Sequence, residues 1–276
     1  MVCGPTASGK SEISDALAEE LTSEHGAYAP TLVVDSMQVY REIPAITNQA
    51  RCRPAELVGI VSITEEWTVA RHREAAEEII AGIHTPFVLD CGTGMYLNAI
   101  ILDVPLAPKV EERTRRVARE ITAAAPNPRR ASRAKELELA GVPHRGSIWD
   151  GDLRYDTTVI YLRPNTAQLD AAISRRSRRI ARGGLEEATQ IMEMRGVNAS
   201  VIESIGVREL VEHLEGKMTI EEAKDRISTR TRKLARRQIR WFDKLARTLQ
   251  GRTDLCVANG PADFDLLNCM HDRISS

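Results

Sequence analysis

Aromatic side chains make up only 4% of the 276 residues, so any core must be built from Ala, Leu, Ile and Val. Long hydrophobic runs are also missing. No uninterrupted apolar stretch reaches about 18 residues, which excludes a membrane-spanning helix of ordinary length. No leader of charged-then-apolar pattern precedes the first motif. Excess charge of one sign is absent too: the net charge is −1, so bulk charge alone points to no polyanionic partner. Cysteines are few and unpaired in pattern. The five, Cys3, Cys52, Cys91, Cys256 and Cys269, form no C-x-x-C and no Cys/His cluster. That argues against a disulfide scaffold and a zinc site, and for a reducing cytoplasm.

What is present begins at once. Gly4, Pro5, Thr6, Ala7, Ser8, Gly9, Lys10 and Ser11 read G-x-x-x-x-G-K-S and open a helical pattern. This is the spacing of a phosphate-binding loop. Its backbone N–H groups, from Thr6 to Lys10, are expected to face phosphate oxygens at a helix N-terminus. Lys10 adds a positive charge, and the Ser11 hydroxyl can ligate Mg²⁺. The loop starts so soon after Met1 that the strand feeding it is expected to be clipped.

Along the chain, residues 31–34 and 87–89 read as buried strands that break into loops, separated by an amphipathic helix at 68–83. Residues 157–164 read as a further strand. Alternation of this kind implies an α/β fold, a parallel sheet flanked by helices as in P-loop NTPases. Residues 1–107 and 155–276 would form that core. Residues 108–154 are Arg-rich, helical and poor in large apolar side chains, and are expected to form a small inserted segment. Residues 220–249 read as one long basic helix.

Two further stretches carry chemistry. "DSMQVYR" puts Asp35 at the carboxyl end of a strand, where open α/β sheets bind ligands. Asp35 can be a proton acceptor or a plain helix cap, and the stretch alone leaves both open. Gln38 offers an amide donor and acceptor that suit an adenine edge. "FVLD" places Asp90 where P-loop enzymes hold a metal through water. On the long helix, Arg226, Arg230, Lys233, Arg237, Arg240 and Lys244 form one stripe with few acids to offset it. Such a stripe fits RNA phosphates or, more simply, a helix lying over a diphosphate. Arg113, Arg115, Arg116, Arg119, Arg129, Arg130 and Arg133 add charge in the insert.

"GPTASGKS", "DSMQVYR", "GTGMYL" and "TRKLARRQIRWF", in that order and spacing, resemble the tRNA dimethylallyltransferase family, and more distantly the adenylate dimethylallyltransferases. The likeness spans most of residues 1–107 and 155–245. It implies that the phosphate loop holds the diphosphate of dimethylallyl diphosphate, with Mg²⁺, and that a five-carbon prenyl group passes to the exocyclic N6 of an adenine. The acceptor implied is the adenosine next to the anticodon of tRNA, or, as an alternative, a free adenine nucleotide. By the same resemblance Asp35 is the general base and Thr93 lies near the reacting carbon. Arg232 in "TRKLARRQ" and Arg176 are diphosphate clamps. Ser36, Met37, Gln38, Arg237 and Gln238 lie on the acceptor side. "PNPRRASRA", with Arg129, Arg130, Ser132 and Arg133, is expected to touch tRNA.

Departures from the family pattern are visible. Cys91 replaces a glycine before Gly92, where it reads as a buried filler. Glu203 stands where a basic or amide residue is common, a His-containing segment is missing, and the insert is short. A cytoplasmic monomer is expected. A non-catalytic phosphate- or RNA-binding paralogue and an ATP-consuming kinase are the competing classes.

Overall fold

The computed structural model describes residues 1–143 and 146–261. Cys269 and the side chain of Arg129 lie outside the described set. The chain runs β1 (Val2–Cys3), α1 (Lys10–His25), β2 (Thr31–Val34), α2 (Pro44–Thr47), α3 (Val69–Ala81), β3 (Val88–Cys91) and α4 (Gly94–Ile101). Next come α5 (Glu112–Thr122), α6 (Pro128–Leu139), β4 (Val159–Leu162), α7 (Thr166–Gly183) and α8 (Leu185–Glu193). It ends with α9 (Ala199–Ile202), α10 (Val207–Leu214), α11 (Ile220–Leu249) and β5 (Leu255–Ala258). The α/β class read from the sequence is the class found.

All strand pairs are parallel, in the order β2-β3-β1-β4-β5. β2, β3 and β4 are buried along their whole length, as expected of parallel strands covered on both faces. From β1 the chain jumps to β2, returns to β3 beside β1, and then crosses to β4. The loops after β1, β2 and β3 therefore open side by side, at the switch point where such sheets bind ligands.

Two features differ from the sequence reading, and a third concerns the first strand. β3 runs on through Asp90, a charged residue buried in a strand, because a cation neutralises it (below). β5 is an edge strand with Val257 exposed, and its short mixed sequence gave no period-two signal. β1 is only two residues long. Its pairing nonetheless reaches back to Met1, whose ammonium donates to the Thr158 carbonyl at 2.6 Å and whose carbonyl accepts from Ile160 N–H at 2.8 Å.

The chain divides into two compact units, Met1–Ile101 with Leu153–Ser276, and Leu102–Asp152. In the first, one core joins β1, β3 and β4 to α1 through Ile13, Ala18 and Leu21. A second core joins Val39, Tyr40, Ile43 and Ile46 to Ile180, Ile191, Leu210 and Ile227, and so anchors the loop after β2 on α7–α11. α11 starts in a reciprocal cap: Thr219 Oγ1 accepts from Glu222 N–H at 3.2 Å and Glu222 accepts from Thr219 N–H at 2.7 Å. It buries Ile227, Thr231, Ala235, Phe242 and Leu245 on one face. In the second unit α5 and α6 pack together over Ala118, which is fully buried.

Candidate active site

The phosphate loop is shaped by backbone before side chains. Gly4 cannot carry a Cβ, which would stand 2.5 Å from the Leu162 carbonyl oxygen. Gly9 has φ 89° and Ala7 φ 64°, a left-handed conformation that costs a non-glycine residue energy and recurs at functional loops. α1 begins directly at Lys10 with no side-chain cap. The first N–H groups of α1 thus remain for an anion. Lys10 Nζ donates to the Pro5 carbonyl at 3.0 Å. Burial pushes the Lys10 ammonium pKa down, while Asp90 and Asp35 act against that shift.

Asp35 caps the turn with one carboxylate oxygen and leaves the other facing Gly92. Its Oδ1 accepts from the N–H groups of Met37 at 2.8 Å and Gln38 at 3.3 Å, capping the turn after β2. Its Oδ2 points the other way, 2.7 Å from where a Cβ on Gly92 would stand. Only glycine fits there. The Gly92–Thr93 backbone is held by the Val34 carbonyl at 3.1 and 3.0 Å, and Thr93 Oγ1 accepts from Ser36 N–H at 3.2 Å. The loops after β2 and β3 are thereby stitched together around the carboxylate. Gln38 Oε1 is buried with no hydrogen-bond partner.

These groups face one open cavity of ≈ 760 Å³. Its walls include Thr6, Ala7, Gly9, Lys10 and Ser11, with Asp35, Gln38 and Asp90 beside them, and Arg175, Arg176 and Arg179 on α7. Arg176 donates to the Thr47 carbonyl at 3.4 Å. Burial pulls its pKa down, Asp35 opposes that, and Arg179 adds to it. Cys91 is fully buried, and burial drives its thiol pKa up; it fills space.

One residue on this wall had no signal in the sequence. Arg51 sits in "NQARCRP", an aperiodic loop, yet its side chain is 5% exposed. It donates to Asp90 at 2.5 Å and to Asp15 of α1 at 2.6 Å. Asp15 also accepts from Cys52 N–H at 3.1 Å. Burial alone would lower the Arg51 pKa, but the two carboxylates outweigh it and raise it. This triad is what lets β3 carry Asp90 inside the sheet. It also gives Asp90 a guanidinium partner where a metal-bound water was expected.

A sequence profile of the IPP transferase family matches residues 38–245. A tRNA dimethylallyltransferase from Rubrobacter xylanophilus is 58% identical, over 100% of this chain and 97% of the relative. The chain belongs to the IPP transferase family. A Thermobifida fusca protein of the same name is 33% identical, over 87% of this chain and 85% of its own. Among solved structures, the full-length tRNA isopentenylpyrophosphate transferase from Bacillus halodurans superposes with TM-score 0.73 at 25% identity, covering 99% of this chain and 94% of that one. A eukaryotic dimethylallyltransferase acting on tRNA shares the fold, with TM-score 0.70 at 23% identity.

Several residues that the IPP transferase likeness puts in the site are engaged by protein partners in this structure, and of these Gln238 stands on the cavity wall. Arg232 is off the cavity wall: it donates to Asp170 of α7 at 3.0 Å and to Ser174 at 3.4 Å. Gln238 is taken up between two loops, with Thr6 N–H on its Oε1 and the Gly92 carbonyl on its Nε2. Thr6 N–H is therefore spent on Gln238 and does not face phosphate. In the insert, Ser132 is buried against Glu136 at 3.4 Å. Arg133 is pinned by Glu136 and by the carbonyls of Ala107 and Pro108, while Arg130 is exposed.

The basic stripe also has acids after all. Arg226 pairs with Glu212 at 3.0 Å and Arg230 with Glu209 at 2.5 Å, both from α10. Lys233, Arg236, Arg237 and Arg240 are exposed and have no ion pair among the described residues.

Proposed function

We propose that this chain transfers the dimethylallyl group of dimethylallyl diphosphate to N6 of the adenosine next to the anticodon of tRNA. The observation that carries this is the placement of Asp35 and Gln38 on the same cavity as the phosphate loop. An anion cradle and a base with an amide beside it are what the reaction needs.

The diphosphate lies on the free N–H groups at the start of α1 and against Lys10. Arg176 faces the same cavity. Together they neutralise the charge that builds as the allylic C–O bond breaks and its electron pair leaves with the diphosphate. The lone pair of adenine N6 is delocalised into the ring and is a weak nucleophile. As N6 bonds the allylic carbon, its proton passes to Asp35 Oδ2. The unpartnered Gln38 Oε1 accepts a hydrogen bond from the adenine edge.

Mg²⁺ fits this donor set: the ion takes few protein oxygens and prefers phosphate and water, and Ser11 offers its hydroxyl on the cavity. Among the described residues no cluster of three acidic, His or Cys ligands exists, so Ser11 and the diphosphate itself would hold it. Asp90 is committed to Arg51. When bound, Mg²⁺ supplies further positive charge to the leaving diphosphate.

No described helix is long and apolar enough to cross a membrane, and we take the enzyme to work in the cytoplasm as a monomer. Relatives named for tRNA at 58% and 33% identity support tRNA over free adenylate. The test is incubation of the full chain with labelled dimethylallyl diphosphate, offering tRNA and AMP separately without ATP. Label is expected in tRNA, at one adenosine of the anticodon loop. Label in AMP alone, or a requirement for ATP, would overturn the reading.

A further inference from the structure

Gln238 is half-buried at the cavity wall and ties together two loops that belong to different strands. Its Oε1 accepts from Thr6 N–H of the phosphate loop at 2.8 Å, and its Nε2 donates to the Gly92 carbonyl at 2.7 Å. Both ends of the amide are used, and only one orientation serves both partners. One turn along, the Trp241 ring covers Gly94 so closely that a Cβ there would lie 2.1 Å from it. Trp241 also donates to Asn98 at 3.3 Å. α11 is thus seated on the Gly92–Gly94 loop at two points. That loop in turn holds Asp35: Gly92 packs on Oδ2, and Thr93 bonds the next residue along.

We propose that Gln238 is a positioning residue that sets the distance between the leaving-group cradle and the base. It stands on the cavity wall, but both ends of its amide are spent on protein partners rather than on a ligand. The donor's carbon and the acceptor's nitrogen are held by loops after β1 and after β2 and β3, and short β1 gives the first little rigidity of its own. A cross-link through a third element supplies it. Misplacing reacting groups by about 1 Å can cost about a hundredfold in rate, so the consequence belongs in kcat rather than in binding. The kinetic part of this proposal rests on the prenyl-transfer reading; the cross-link itself does not.

The test uses the full chain as Gln238→Met, which keeps the length and loses both bonds, and Gln238→Glu, which keeps the acceptor and sets a carboxylate against the Gly92 carbonyl. α11 buries its apolar residues on other positions, so both variants are expected to fold; Gly94→Ala, which displaces the Trp241 ring, probes the same seat independently. Amide hydrogen exchange without substrate is expected to quicken by about tenfold in peptides covering both the phosphate loop and residues 91–94, with the α1 and α4 interiors unchanged. In steady state, kcat is expected to fall by about 10–100-fold. KM for dimethylallyl diphosphate and the Kd for inorganic pyrophosphate should each stay within about threefold, a ratio near experimental indifference in free energy. Unchanged exchange in both loops would overturn the cross-link. A raised KM for tRNA with kcat intact would make Gln238 an acceptor contact instead, also overturning it. Quickened exchange in an enzyme whose wild type transfers no prenyl group would uphold the cross-link and sink the assigned reaction.

Discussion

Asp35 divides its two carboxylate oxygens between a structural cap and the cavity side proposed for chemistry. Oδ1 caps the turn after β2, and Oδ2 stands over Gly92. Asp35→Asn keeps an oxygen for the cap but loses the ability to take a proton. Prenyl transfer is expected to fall by about 10²–10⁴-fold, with pyrophosphate affinity unchanged by titration calorimetry; a rate near wild type would remove Asp35 as base. Arg51 is the opposite case, a residue whose work is electrostatic support. Arg51→Met strands two buried carboxylates and should cost about 3–5 kcal/mol in urea unfolding. Adding Asp90→Asn should recover part of that loss, and no recovery would contradict the triad.

His72 is fully buried, accepts from Trp67 Nε1 at 3.0 Å, and is held neutral by burial, with its pKa lowered to about 4. The folded pKa lies below the unfolded one. Its contribution to stability is therefore fully present above about pH 6.5 and is lost as pH falls toward 4. Thermal melts of wild type should show this loss, and His72→Phe should lose less over the same pH range. Equal acid sensitivity would contradict the assignment.

At the scale of elements, the informative one is α11. A sequence stripe of cations looked uniform, but α10 supplies Glu209 and Glu212 to its first half. The pairing was illegible because it joins two helices whose contact no spacing encodes. The free cations begin at Lys233. Lys233→Glu with Arg237→Glu should weaken tRNA binding and shallow its salt dependence by about one unit of slope per lost phosphate contact, leaving pyrophosphate binding unchanged. Arg226→Gln should leave the salt slope as it was. The reverse pattern would place the RNA track on the paired half. For strands the lesson is similar. β2 and β4 were readable as apolar runs, whereas β3 hid its last half behind Asp90 until Arg51 explained it. β5 has no pattern of its own and exists because β4 offers an edge.

For the whole molecule, motif spacing made the phosphate loop, Asp35 and the Gly92–Gly94 turn legible, because each is set by local backbone demands. Residues assigned by long-range contact were not legible. Arg51, Arg175 and Arg179 reach the cavity from a loop and a helix with no signature, and the motif gives no sign that Asp170 and Glu136 bond Arg232 and Ser132. In the proposed reaction this cavity joins the allylic group of a diphosphate donor to an adenosine in RNA and releases the diphosphate. That reaction is tested most directly by kcat/KM for prenyl transfer to an anticodon stem-loop and to AMP, measured side by side at one salt concentration with no ATP present. The stem-loop is expected to be preferred by at least about a hundredfold, the scale of a few phosphate contacts. Equal values, or a preference for AMP, would contradict it.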